Sequence, residues 1–114
     1  MLGRRRAHIL QFLIGALMLG TVASAHAVSL DSMTVAQALG DLMGSEKYCG
    51  LLFNQDAIKK FIDSRVRADD MEFSSMLTVM TTGSQYANER RSLSEKTAHC
   101  AQISRVARSY GFIP

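Results

Sequence analysis

The apolar residues of this chain recur at helical spacing over most of its length, and no proline interrupts them before Pro114. Proline breaks a helix when it lies in the interior, so its absence permits long helical segments. The alternation of apolar and polar residues that is typical of strands is missing. The pattern predicts an all-α fold, a small bundle of about four helices joined by short turns.

The first helical segment is predicted over residues 33–53, after an N-cap at Asp31 or Ser32. At about 100° per residue, one face of this helix carries a stripe of apolar residues, namely Val35, Leu39, Leu42, Cys49 and Phe53. Glycine weakens a helix, so a break at Gly44 with Ser45 capping a second short piece is an equally good interpretation.

The second and third segments are each predicted to start at a polar cap. Asn54 is the expected N-cap of a helix whose buried face carries Ala57, Ile58, Phe61, Ile62 and Val66. Asp69 and Glu72 have the spacing of a capping box for the third segment, whose apolar side comprises Met71, Phe73, Met76, Leu77 and Met80. Residues 81–84 form helices poorly, so we expect the third segment to end or bend there.

The last segment has the clearest boundaries. Ser92 and Glu95 form an S-x-x-E capping box at its start. The helix is predicted to continue to about Tyr110, where Gly111 suits the left-handed position that follows a helix. Phe112 would then pack back onto the last turn in a Schellman closure.

Residues 1–27 have the three parts of a secretory signal peptide. Arginines at positions 4–6 form the positive start, and the apolar run that follows is too short for a comfortable transmembrane helix. Small residues favour cleavage after Ala27, with Ala25 as the alternative site. An uncleaved signal anchor is the other interpretation. We expect residues 28–114 to form a single helical domain that meets the membrane only through the signal peptide, before cleavage.

Export changes the charge balance of the chain. Three of the 13 basic side chains leave with the signal peptide, so ten basic residues face ten acidic ones in the mature part. Nucleic-acid binding proteins carry a concentrated basic surface, which a neutral domain of this composition does not suggest. We therefore expect no nucleic-acid partner.

Cys49 and Cys100 are the only cysteines of the chain. So short a mature chain is marginally stable without a covalent link, and exported proteins fold in an oxidising compartment. Both cysteines fall on predicted core-facing stripes of separate helices. We therefore predict a disulfide between Cys49 and Cys100 that joins the first helix to the last.

His99 lies directly beside Cys100, which raises the alternatives of a metal site or a reactive thiolate. Structural zinc requires about four ligands, and the mature chain offers one histidine and two cysteines. We expect His99 to be a half-buried histidine with one nitrogen satisfied. Met76 and Met80 could bind cuprous copper, although methionine at helical spacing usually fills a core.

The sequence shows no nucleophile elbow, HExxH motif or phosphate-binding glycine loop. We therefore expect no catalytic residue, no metal ligand and no cofactor. We also predict that the protein is not an enzyme.

Two stretches, YCGLLFNQDAIKKFI at residues 48–62 and EKTAHCAQISRVARSYGF at residues 95–112, carry a resemblance to known proteins. They resemble small exported two-cysteine helical proteins of Gram-negative bacteria that have no assigned activity. In mature length, helix content and one widely spaced disulfide, the chain is also similar in plan to the HdeA-type periplasmic acid-stress chaperones. The resemblance implies a disulfide framework and identifies no functional residue.

These observations predict a periplasmic or secreted protein that acts by macromolecular interaction. The expected partner is an unidentified protein of the cell envelope, with envelope stress as the candidate context. Two alternatives stay open, a copper-binding accessory protein and an acid-activated periplasmic chaperone.

Overall fold

A computed structural model describes residues 30–114 of the chain. The predicted signal peptide, with its cleavage sites at Ala27 and Ala25, lies outside the described residues. Four helices make up about 70% of the described part, which contains no strand, and they are α1 (Leu30–Ser45), α2 (Gln55–Arg65), α3 (Phe73–Asn88) and α4 (Leu93–Ser109). The predicted all-α fold with four helices is confirmed.

The core lies where α1, α3 and α4 meet. Phe53, which follows α1, and Phe112, which follows α4, complete it. Its buried apolar residues are Ala36, Leu39, Leu42, Phe53, Phe73, Ile103, Ala107 and Phe112. Helix α2 contributes half-buried side chains from the predicted face, including Phe61 and Ile62. None of the helices in residues 30–114 has the length and apolarity that a bilayer span requires.

Helices α1 and α3 run in the same direction and approach each other closely. A Cβ atom on Gly40 would lie 2.6 Å from Met80 Cβ, and one on Gly44 would lie 2.6 Å from Ser84 Cβ. Because atoms this close would overlap, only glycine permits the observed spacing at both positions. The two glycines, which the sequence pattern marks as weak points of the first helix, define its contact with α3.

The predicted first helix over residues 33–53 is wrong at both ends. Asp31 and Ser32, expected as caps, lie within α1, and the helix ends at Ser45. The break at Gly44 was the better of the two interpretations, but Ser45 caps no second helix. The chain continues as turns from residue 46 to residue 50.

The turn after α1 closes with the hydrogen-bond pattern of a Schellman motif. The N–H of Leu51 donates to the carbonyl of Glu46 at 2.8 Å, and the N–H of Gly50 donates to that of Lys47 at 3.1 Å. Gly50 has a φ of +68°, a conformation that L side chains rarely adopt. Cys49 therefore lies in a glycine-closed turn, and its predicted place on a helical stripe is wrong.

The predicted boundaries of α4 are confirmed. The N–H of Ser92 donates to Glu95 Oε2 at 2.6 Å, and the N–H of Glu95 donates to Ser92 Oγ at 3.2 Å. At the other end Gly111 has a φ of +75°, and the N–H of Phe112 donates to the carbonyl of Ala107 at 2.9 Å. The Schellman closure buries Phe112 in the core.

Helix α2 starts as predicted, since the side chain of Asn54 accepts a hydrogen bond from the N–H of Ala57 at 3.0 Å. The segment from Phe61 to Val66 also packs against the core as expected. Local cap chemistry therefore determines where this helix begins.

Helix α3 differs from its prediction at both ends. It starts at Phe73 with no side-chain cap, so the predicted capping box of Asp69 and Glu72 is wrong, and the carboxylate of Asp69 binds Arg67 at 2.8 Å. It also continues through residues 81–84, where Ser84 is buried against α1. Tertiary packing outweighs the weak helix propensity of this stretch.

Candidate functional site

The predicted disulfide is confirmed. Cys49 and Cys100 are bonded, with their Cα atoms 5.3 Å apart. The bond ties the turn after α1 to the middle of α4, and both cysteines are half-buried. It holds two segments far apart in sequence at a fixed distance.

A shallow, open groove of about 700 Å³ runs along this bond, and we call it the disulfide groove. Residues 47–50 form one wall, and a face of α4 that includes Leu93, Lys96, Cys100 and Ala101 forms the other. Leu93, the first residue of α4, is 80% exposed. The groove therefore presents apolar surface to solvent beside a rigid covalent link.

Cationic side chains border the disulfide groove. Lys47 and Lys96 are both exposed, one on each wall. The ammonium of Lys96 lies 4.5 Å from the ring centroid of Tyr48, within the range of a cation–π contact. Neither lysine forms an ion pair with a carboxylate of the described residues.

The acidic residues next to these lysines in sequence accept hydrogen bonds from backbone N–H groups and form no ion pair with either lysine. Glu46 Oε1 accepts a hydrogen bond from the N–H of Phe53 at 3.0 Å. Glu95 accepts from the N–H of Ser92, and this bond lowers the pKa of the Glu95 carboxyl. No carboxylate lines the groove, so its local charge is positive in a domain that is neutral as a whole.

A buried polar cluster joins α1, α3 and α4 near the same end of the molecule, and we call it the Ser45 cluster. Ser45 Oγ lies 2.8 Å from His99 Nε2. The amide of Asn88 donates to Ser45 Oγ at 3.0 Å and to the carbonyl of Gly44 at 3.2 Å. Arg91 Nε donates to Asn88 Oδ1 at 2.9 Å. Each of the three helices thus contributes to one hydrogen-bonded group.

The expected role of His99, half-buried with one nitrogen satisfied, is confirmed. Because Asn88 already donates to Ser45 Oγ, the hydroxyl proton of Ser45 is free to point at Nε2 of a neutral His99. Burial lowers the pKa of His99, the positive charge of Arg91 lowers it further, and Asp41 opposes them. The cluster is thus best satisfied when His99 is uncharged.

The pairing of Ser45 with His99 resembles a nucleophile beside its base, but its position argues against that chemistry. Ser45 is 0% exposed, and Asn88 is 2% exposed. A serine nucleophile must reach its substrate, whereas this hydroxyl is enclosed by three helices. The arrangement holds the helices together.

The sequence analysis identified His99 but neither its buried partner Ser45 nor Asn88, which donates to Ser45. Ser45 and Asn88 are 43 positions apart and meet only because α1 and α3 pack in parallel. The one local signal was that each of these two helices ends in a polar residue. That signal does not specify a partner.

The two methionines considered for copper lie four positions apart on one helix, α3. Met76 and Met80 are partly buried and pack against the core, whereas Met71 is 82% exposed. Within residues 30–114 no three side chains of His, Cys, Asp or Glu are grouped in a way that could hold a metal ion. Methionine ligands are outside that set, so the copper-binding alternative stays a prediction.

No protein-family model matches the chain, and comparisons with curated proteins and with solved structures gave no significant match. The geometry itself defines the class, a disulfide-linked four-helix protein with an open, basic and partly apolar groove.

Proposed function

We propose that the protein is an exported, non-enzymatic helical protein that acts by binding another protein of the cell envelope. The observation that carries this proposal is the disulfide groove, which is lined by the exposed apolar side chain of Leu93 and by the cationic side chains of Lys47 and Lys96. Exposed apolar surface with a polar border is typical of interaction sites. Envelope stress is the physiological context that we favour.

The compartment follows from the covalent chemistry together with the predicted signal peptide. Disulfides persist in the periplasm and outside the cell, and a reducing cytosol would open the link between Cys49 and Cys100. The resemblance to small exported two-cysteine proteins of Gram-negative bacteria supports the same location. We propose a periplasmic or secreted protein.

Rigidity makes the groove suitable for binding. The disulfide joins its two walls, and the Schellman turn at Gly50 determines the path of one wall. A surface that is ordered before it meets its partner loses less conformational entropy on binding. The groove is therefore preorganised.

Capture from an envelope extract with a matched pair of variants tests the proposal. In Leu93→Asp the exposed leucine of the groove is lost, while an acidic residue in the first turn still suits α4. Leu52→Asp is the control, because Leu52 is 85% exposed and lies outside the groove. We expect the tagged wild-type chain and Leu52→Asp to retain the same partner at pH 7, and Leu93→Asp to lose it.

Two results would count against the proposal. Retention of no protein by the wild-type chain, at neutral or acidic pH, contradicts function by protein interaction. Equal retention by both variants contradicts the groove as the binding surface.

One observation favours a second candidate, the acid-activated periplasmic chaperone. Protonation of His99 would place a second donor opposite Ser45 Oγ, close to the cation of Arg91. Acid therefore weakens the junction of α1, α3 and α4. Suppression of the aggregation of a test protein at pH 3 but not at pH 7 would support this function, and failure to suppress it at pH 3 would exclude it.

A further inference from the structure

We propose that the disulfide groove binds an acidic, partly apolar segment of its partner protein, one that combines carboxylates with an aliphatic or aromatic side chain. This inference rests on the proposed function and adds the chemistry of the partner. The charges, the apolar lining and the open shape of the groove support it.

The charges of the groove determine the sign of the charge that the bound segment carries. Lys47 and Lys96 stand on opposite walls, and neither has a carboxylate partner among the described residues. The acidic side chains that adjoin them in sequence, Glu46 and Glu95, accept hydrogen bonds from backbone N–H groups and do not line the groove. Carboxylates of a partner would supply the missing counter-charges, and the two lysines would repel basic segments.

The apolar lining of the groove determines what accompanies those carboxylates in the partner. Leu93 is exposed at the start of α4, and the half-buried disulfide and Ala101 line the same groove further along the helix. An aliphatic or aromatic side chain of the partner would cover this surface, and removing it from water favours binding. A purely polyanionic ligand would leave it exposed.

The shape favours a polypeptide over a small molecule. Sites for small ligands enclose most of the ligand surface, whereas this groove is shallow and open along one side. An open groove between two walls lets a chain enter at one end and leave at the other. The occupant is therefore a segment of a protein.

A second groove provides the comparison that the test needs. It is smaller, about 450 Å³, and lies between α2 and the end of α4, with Lys60 and Arg65 at its border. The guanidinium of Arg65 lies 5.1 Å from the ring of Phe61. Lys60 is exposed and carries the same charge as Lys47 and Lys96, so it is a matched control for charge reversal.

Site-specific photocrosslinking identifies the occupant. The full chain would carry p-benzoylphenylalanine at position 93, or at position 52 as the control, in the cells that produce the protein. We expect crosslinking from position 93 to a peptide with at least two acidic side chains and an apolar one, and no such product from position 52. Mass spectrometry of the crosslinked peptide gives its sequence.

The outcomes separate this inference from the proposed function. A neutral or basic peptide crosslinked at position 93 overturns the acidic partner and leaves protein binding in place. A crosslink to lipid alone, or no crosslink above that at position 52, overturns both.

Charge reversal then tests the contacts with a synthetic peptide of the identified sequence. We expect Lys47→Glu combined with Lys96→Glu to weaken binding about tenfold at low salt, because exposed ion pairs are weak individually and two are lost. Replacement of the peptide's acidic residues by Asn and Gln should weaken binding similarly. Equal weakening by Lys60→Glu, or equal binding of the amide peptide, would refute the proposal, provided that circular dichroism shows all variants folded.

Discussion

The contact between α1 and α3 makes Gly44→Ala a sensitive test of the fold. The new Cβ would lie 2.6 Å from Ser84 Cβ and 2.7 Å from the carbonyl oxygen of Thr81. The carbonyl belongs to the backbone of α3, so it cannot rotate out of the way, and the helices must separate. Such overpacking costs up to about 3 kcal/mol.

A gain in helix propensity opposes this cost. Alanine is favoured over glycine by about 1 kcal/mol in a helix interior. The net expectation for Gly44→Ala is therefore a loss of up to about 2 kcal/mol in the free energy of unfolding. That loss is a large fraction of the stability of a small domain, typically about 5–15 kcal/mol.

Gly83→Ala is the matched control, because a Cβ on Gly83 would meet nothing within 4 Å. Only the propensity gain remains there, and we expect this variant to be more stable than the wild type by about 0.5–1 kcal/mol. The same substitution should thus have opposite signs on two helices of one protein.

Urea unfolding followed by far-ultraviolet circular dichroism, with the disulfide intact, measures both effects. The slope of stability against urea should be unchanged, so that midpoints report stability directly. If Gly44→Ala proves as stable as Gly83→Ala, the close parallel packing of α1 on α3 is refuted.

Three further predictions use the same assay. Cys49→Ser and Cys100→Ser should each cost about 4 kcal/mol, and the double variant little more, because either change opens a loop of about 52 residues; two alkylatable thiols in the native exported protein would contradict the pairing. Since the pKa of His99 is lowered from 6.5 in the folded state, the unfolded chain binds the proton more tightly, so stability should be complete above about pH 6.5 and decline below it. His99→Gln should abolish that decline, and an unchanged pH profile would contradict the assignment. Ser92→Ala should cost about 1 kcal/mol by removing the cap shared with Glu95, whereas no measurable loss would show that the capping box is dispensable.

Features that depend on a few neighbouring residues followed from the sequence. The caps at Asn54 and Ser92 and the closure at Gly111 were predictable because each satisfies backbone groups within one turn of its own helix. The disulfide was predictable for another reason, since a chain with two cysteines has one possible internal pair.

Boundaries that depend on distant contacts did not follow. The pairing of Cys49 was right while its local structure was wrong, because periodicity continued past Ser45 although the chain leaves the helix in a turn closed by Gly50. Helix α3 continued past residues 81–84 because Ser84 packs against α1. Apolar periodicity indicates which face of a helix is buried. It carries no information on which distant residues that face contacts.

The amino-acid sequence by itself determined the all-α class, the helix caps at Asn54 and Ser92 and the identity of the disulfide. Only the tertiary structure decided that Gly40 and Gly44 form the contact with α3. Glycine has no side chain, so it adds nothing to the apolar pattern from which a helix contact is predicted. The same packing brought Ser45 to His99 and placed Lys96 opposite Lys47 across the groove. These pairs are about 50 positions apart, and the free energy that joins them comes from burying the apolar faces of whole helices.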